Sequence, residues 1–155
     1  MLAKKTPAKG TIARVTANRS KTAAKPKLKK QPGSPAAIDF APVFSALKEV
    51  MTAHAGELHV VNDELRKYYV VTESLSWKGR PMFFGAVIWG KAYVSYHLFP
   101  LYVSPSLAKK ISPELKRRMQ GKTCFNFRNH DETLCAELSE LTKSGLEHYR
   151  AKRLL

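Results

Sequence analysis

The chain has 155 residues, a single-domain length, and carries 27 Lys and Arg against 12 Asp and Glu, a formal net charge of +15. No apolar run approaches the ~18 residues of a membrane span, and the start lacks the apolar centre of a secretory signal, so a soluble cytoplasmic protein without a membrane partner is expected. The two cysteines, Cys124 and Cys135, have no Cys-x-x-Cys or paired-histidine spacing around them, so neither a zinc site, a disulfide framework nor any cofactor is legible.

The charge is unevenly distributed. Residues 1–37 hold ten Lys and Arg and no acidic residue, and the remainder holds seventeen basic against twelve acidic, a net +5. Rich in Lys, Pro and Ala, the first 37 residues cannot bury enough apolar surface to offset ordering entropy, and a disordered basic tail is expected. Its few large apolar residues form no amphipathic stripe and it has two arginines, which argues against an organelle transit peptide. Such a tail, densest at Lys25, Lys27, Lys29 and Lys30, attracts nucleic acid or another polyanion by counterion release, without reading sequence.

Gln31–Pro35 is a linker by composition, and a folded domain over 38–155 is expected behind it. Asp39 as cap, Pro42 in the first turn and Val43, Phe44, Leu47, Val50, Met51 and His54 at helical spacing predict a helix over 40–55, ended by Gly56. Leu58–Val61 and Lys67–Thr72 predict strands, the second strongly, and Ser76–Pro81 predicts a turn. Met82–Trp89 and Ala92–Phe99 predict a hairpin closed by Gly90-Lys91, which pairs Val87 with Val94 and Gly85 with Tyr96. One hairpin face would then hold Phe83, Gly85, Val87, Trp89, Val94, Tyr96 and Leu98, and the other Met82, Phe84, Ala86, Ile88, Tyr93, Ser95, His97 and Phe99.

Pro100 ends that strand, and Ser104-Pro105 and Ser112-Pro113 predict two short helices closing near Gly121. Lys122–Phe127 alternates as a further strand. Asp131 caps a last helix whose stripe of Leu134, Cys135, Leu138, Leu141, Gly145 and Tyr149 marks its buried side. The order predicts an α+β fold, an antiparallel sheet with the N- and C-terminal helices packed on one face.

The segments Pro81–Val87, Tyr93–Pro100 and Gly121–Phe127 resemble the YdhG-like family of small bacterial domains of unknown function, in motif and in element order, over roughly Leu47 to Arg150. The resemblance implies that fold. Some relatives have been proposed to be frataxin-like iron handlers, so it also implies iron binding as an alternative function. Here the first helix offers Asp39, Glu49 and Glu57, which do not make the dense carboxylate patch that hard iron ions favour.

Tyr69, Phe84, Tyr93, Ser95, His97 and Tyr102 are the candidate ligand-binding residues, an apolar face with a few polar groups. The ordinary reading of a lone strand histidine, satisfied by hydrogen bonds in or beside the core, is favoured for His97 because no carboxylate is placed in sequence to orient it. His54 and His59 lack a third ligand of recognisable spacing. Cys124 lies near Lys122 and Arg128 in sequence, and nearby positive charge lowers a thiol pKa, although a structural cysteine is the favoured reading. Lys109, Lys110, Lys116, Arg117, Arg118 and Lys122 are a second candidate polyanion contact, centred on Lys116, Arg117 and Arg118 and set against the ordinary reading of a solvated helix face. Without a phosphate loop, nucleophile elbow or acid–base pair in the sequence, the expectation is a non-catalytic domain that binds a small ligand or partner through its aromatic hairpin. The alternatives are iron binding and an enzyme using His97.

Overall fold

The computed structural model describes residues 39–75 and 78–155. Helix α1 (Ala41–Thr52) is followed by a 3-10 turn (Ala55–Glu57) and strands β1 (Leu58–Glu64), β2 (Lys67–Thr72), β3 (Phe83–Trp89) and β4 (Val94–Leu98). Three one-turn helices come next, α2 (Pro100–Val103), α3 (Pro105–Ala108) and α4 (Pro113–Lys116), then β5 (Met119–Gln120), β6 (Cys124–Phe127) and the long α5 (Glu132–Ala151). The six strands form one antiparallel sheet in the order β1-β2-β3-β4-β6-β5. The α+β architecture expected from the element order is the one observed.

Both long helices form as their patterns dictate. In α1 the Asp39 carboxylate accepts the Ala41 N–H at 2.9 Å, and Val43, Phe44, Leu47 and Met51 are buried. The helix stops at Thr52 rather than 55, and the next residues tighten into the 3-10 turn. In α5 the Asp131 carboxylate accepts the Leu134 N–H at 3.1 Å, and all six residues of the anticipated stripe are buried. Arg153, with φ of 55°, reverses the chain so that the Leu154 N–H reaches the Tyr149 carbonyl at 2.9 Å. Each buried leucine of these stripes contributes roughly 1.5–3 kcal/mol of transfer free energy.

The helices cover one face of the sheet and leave little space beneath them. A Cβ on Gly85 would stand 2.8 Å from the His97 carbonyl oxygen and 2.5 Å from Met51 Cε, so this position accepts no side chain. The Tyr96 hydroxyl, fully buried, meets Thr142 Oγ1 of α5 at 2.6 Å, and burial drives its pKa far above the ordinary phenol value. Tyr149 crosses from α5 to donate to the Phe83 carbonyl at 3.0 Å.

Two features of the central hairpin correct the sequence expectation. The Gly90 N–H bonds to the Tyr93 carbonyl at 2.9 Å, so the turn closes around Lys91 and Ala92, and Val87 faces Tyr96 while Gly85 faces Leu98. A slip of two residues keeps every side chain on its face, because strand periodicity is also two. The second feature does change faces. Val70 pairs with Gly85 but Val71 with Phe83, so Phe84 is an inserted bulge residue. Phe84 therefore turns under the helices, edge-on to Tyr149 with centroids 5.4 Å apart, and Phe83 turns out to stack on Tyr69 at 4.8 Å.

The short helices start at prolines whose missing N–H has no helical partner to lose. Ser112 caps α4 by accepting the Leu115 N–H at 3.1 Å, and its own N–H and hydroxyl donate to Glu137 at 2.8 and 2.7 Å, which fastens α4 to α5. Helix α2 and the two-residue β5 were not legible in the sequence; Gly121, with φ of 76°, makes the turn that folds β5 back on β6.

Candidate functional site

The sheet face opposite the two long helices is where the candidate residues gather. Four rings lie along its β2–β3–α2 end. Tyr69 stacks on Phe83, Phe83 lies 5.9 Å from Phe99, and Phe99 stacks on Tyr102 at 5.5 Å. A lysine ammonium closes each end, Lys67 at 5.5 Å from the Tyr69 centroid and Lys122 at 5.5 Å from that of Tyr102. Tyr102 is 58% exposed.

A polar row crosses β4, β6 and β5 beside this stack. Ser95 donates to Asn126 Oδ1 at 3.0 Å, Asn126 Nδ2 donates to Gln120 at 2.7 Å, and Cys124 Sγ lies 3.8 Å from His97 Nε2. Register dictates the row, since Ser95 faces Asn126 and His97 faces Cys124 across the β4–β6 ladder, and Gln120 faces Cys124 across β5–β6. Burial lowers the His97 pKa below its ordinary value and raises that of the Cys124 thiol, the latter offset in part by a hydrogen bond with Ser95. At neutral pH the pair is an uncharged imidazole beside a protonated thiol. The positive charge of Lys122 and Arg128 does not produce a thiolate.

Two clefts flank the edge strand β5, and Met119 lines both. One, of about 410 Å³, lies toward the polar row and is lined by Arg117, Arg118 and Arg128 with Tyr93, Gln120 and Asn126, and by no carboxylate. The other, of about 510 Å³, has an apolar floor that includes Leu101, Ile111 and Met119, with Tyr102, Lys116 and Lys122 among its walls. Arg118 lies 5.8 Å from the Phe127 ring centroid, and Arg117 forms an ion pair with Glu114 at 3.1 Å in which both side chains are more than half exposed.

The charge around these clefts is one-sided. From residue 74 to residue 130 the chain has ten Lys and Arg and a single carboxylate, Glu114. That stretch supplies β3, β4, α2–α4, β5 and β6. The other eleven carboxylates belong to α1, the 3-10 turn, β1, the end of β2, α5 and residues beside them, and those of α5 lie on the helix side.

The candidates from the sequence therefore separate. Tyr69, Ser95, His97 and Tyr102 share the open face, while Tyr93 joins Arg117 and Arg118 in the smaller cleft and Lys116 lies in the larger. Phe84 is not part of this face: the bulge buries it completely. Lys25, Lys27, Lys29 and Lys30 lie outside the described residues. Lys122, of the anticipated basic cluster, lines the larger cleft. Gln120, Asn126 and Arg128 were not among the candidate binding residues, although the near-absence of carboxylates from 74 to 130 points to their neighbourhood. His54 is held by Ser139 at 2.9 Å, Glu57 pairs with Arg150, and among the described residues no three His, Cys, Asp or Glu side chains gather as metal ligands would. Among the described residues no helix is long and apolar enough to cross a membrane. No family model, curated protein or solved structure matches the chain.

Proposed function

We propose that this chain is a non-catalytic binding protein whose folded domain holds a polyanion at the arginine-lined cleft beside β5. The observation that carries the proposal is the convergence of Arg117, Arg118 and Arg128 on one cleft whose lining has no carboxylate, within a stretch of ten basic residues and one acidic. Guanidinium groups match phosphate or sulfate oxygens in a planar two-point geometry, and three of them outnumber the two carboxylates, Glu114 and Asp131, that share an adjoining cleft with Arg117 and Arg118. The Arg117–Glu114 pair is solvent-screened, so an incoming anion competes with it readily. Gln120, a neighbour in the same cleft, adds an amide.

In this proposal the basic residues of the first 37 positions add a second, sequence-indifferent attraction, and the YdhG-like resemblance speaks to element order rather than to the ligand. Burial raises the Cys124 thiol pKa, which disfavours nucleophilic chemistry at that residue. Cys124 and Cys135 are both free, which suits a reducing cytoplasm.

The test is heparin affinity in the full chain with Lys25, Lys27, Lys29 and Lys30 changed to Gln. Adding Arg117→Glu and Arg128→Glu is expected to lower the elution salt and reduce the salt slope of binding by about 2, one for each contact removed. Unchanged elution would contradict the proposal.

A further inference from the structure

The polyanion cleft has an apolar neighbour, and the two are separated by a strand of two residues. Met119 of β5 lines both, and the larger cleft combines an apolar floor with the exposed Tyr102 ring and the ammonium groups of Lys116 and Lys122. A purely anionic polymer such as a sulfated sugar would use the arginines and leave this apolar cleft unfilled. A ligand that alternates charge with flat, weakly polar rings would fill both.

We propose that the two clefts form one site for single-stranded nucleic acid, crossing β5, with a base against Tyr102 in the larger cleft and backbone phosphates on Lys116, Lys122 and the three arginines. The inference rests on the polyanion reading of the smaller cleft and adds the chemistry of the ligand. Four features support it.

The first is the state of the Tyr102 ring. Phe99 covers one side and the Lys122 ammonium lies 5.5 Å from the ring centroid. An exposed cation–π contact is worth about 0.5–1 kcal/mol, whereas stacking of a base on an aromatic side chain is worth about 1–3 kcal/mol. A base therefore displaces the ammonium, which becomes available to the adjoining phosphate. The second feature is the floor: Leu101, Ile111 and Met119 provide an apolar surface for the body of the base.

The third feature is that β5 is an edge strand, paired with β6 on one side, so its outer backbone groups are open to an incoming ligand. Gln120, which is exposed on this strand, lines the smaller cleft, where its amide oxygen accepts from Asn126. The fourth is spacing along the chain, since Lys116, Arg117, Arg118 and Lys122 bracket β5 on both sides. A duplex keeps its bases stacked inside and cannot put one against Tyr102, which favours the single strand.

The experiment uses the full chain with the four tail lysines changed to Gln and fluorescence anisotropy with a labelled thymidine strand, the matching uridine strand, an abasic strand of equal length and a duplex. The base-containing strands are expected to bind about tenfold more tightly than the abasic strand, and Tyr102→Ala is expected to abolish that difference. A strand of either sugar bound in this way supports the inference, the tighter one identifying the source. Equal affinity for thymidine, uridine and abasic strands, or a duplex bound as tightly as the single strands, would overturn it while leaving the polyanion reading intact. The polyanion reading itself fails if Arg117→Glu with Arg128→Glu weakens neither the thymidine nor the abasic strand. Because Tyr102 is largely exposed, its alanine variant is expected to fold, which circular dichroism checks.

Discussion

On the helix side of the sheet, Tyr96 and Tyr149 are buried and their hydroxyls end on Thr142 and on the Phe83 carbonyl. On the other side, Tyr69 and Tyr102 hold no place in the core; they stack on phenylalanines, and lysines lie near their rings. The same residue type thus serves stability on one face and remains available to a ligand on the other. What separates the two is the two-residue period of the strands and one bulge at Phe84, which moves a phenylalanine from the open face to the core.

Substitutions should respect this division. Phe84→Ala is expected to cost about 3–5 kcal/mol in urea unfolding, by lost transfer energy and the cavity left under Tyr149, whereas Tyr102→Ala should cost under about 1 kcal/mol. Similar losses for both would erase the distinction between the faces. Gly85→Ala, which forces a methyl group toward Met51 and the His97 carbonyl, is expected to destabilise by about 1–3 kcal/mol. A thermal melt equal to that of the unaltered chain would mean that α1 lies farther from the sheet than described.

Tyr96→Phe removes one buried hydrogen bond and is expected to cost about 1 kcal/mol, while Tyr69→Phe on the open face should leave the denaturation midpoint where it is. The smallest effect is one of pH. Burial holds the folded-state pKa of His97 below the ordinary 6.5, so the unfolded chain binds the proton first as pH falls. Its contribution is complete above that ordinary value, declines as pH drops below it, and levels off beneath the folded pKa. His97→Gln should flatten this part of the stability profile, and an unchanged slope would show that another group produces it.

Much of the fold was legible because pattern and chemistry agreed. The α5 stripe from Leu134 to Tyr149 has an Asp131 cap in front of it, and after Lys67 the strand Tyr68–Thr72 is β-branched or aromatic at every position. Where the signal failed, the reason was local. Asn62, Asp63 and Glu64 are residues that strands disfavour, yet they complete β1 at a sheet edge where Asp63 pairs with Lys48 of α1. The bulge at Phe84 has no mark in a run of alternating apolar residues, because it is decided by pairing with Val70 and Val71. That single insertion misplaced Phe84 in the candidate site. The arginine cleft was half legible: Arg117 and Arg118 stood out as a run, but Arg128 joins them through the β5–β6 turn, which sequence spacing does not reveal.

The most direct test of the division between faces is a titration of the isotope-labelled full chain with a thymidine single strand, read as amide chemical-shift changes by NMR. The expected result is a set of changes concentrated at Tyr93, Tyr102 and residues 116–128, with α5 unaffected beyond its contacts to α4. Changes confined to residues 1–37, or centred on the exposed side of α5, would contradict it.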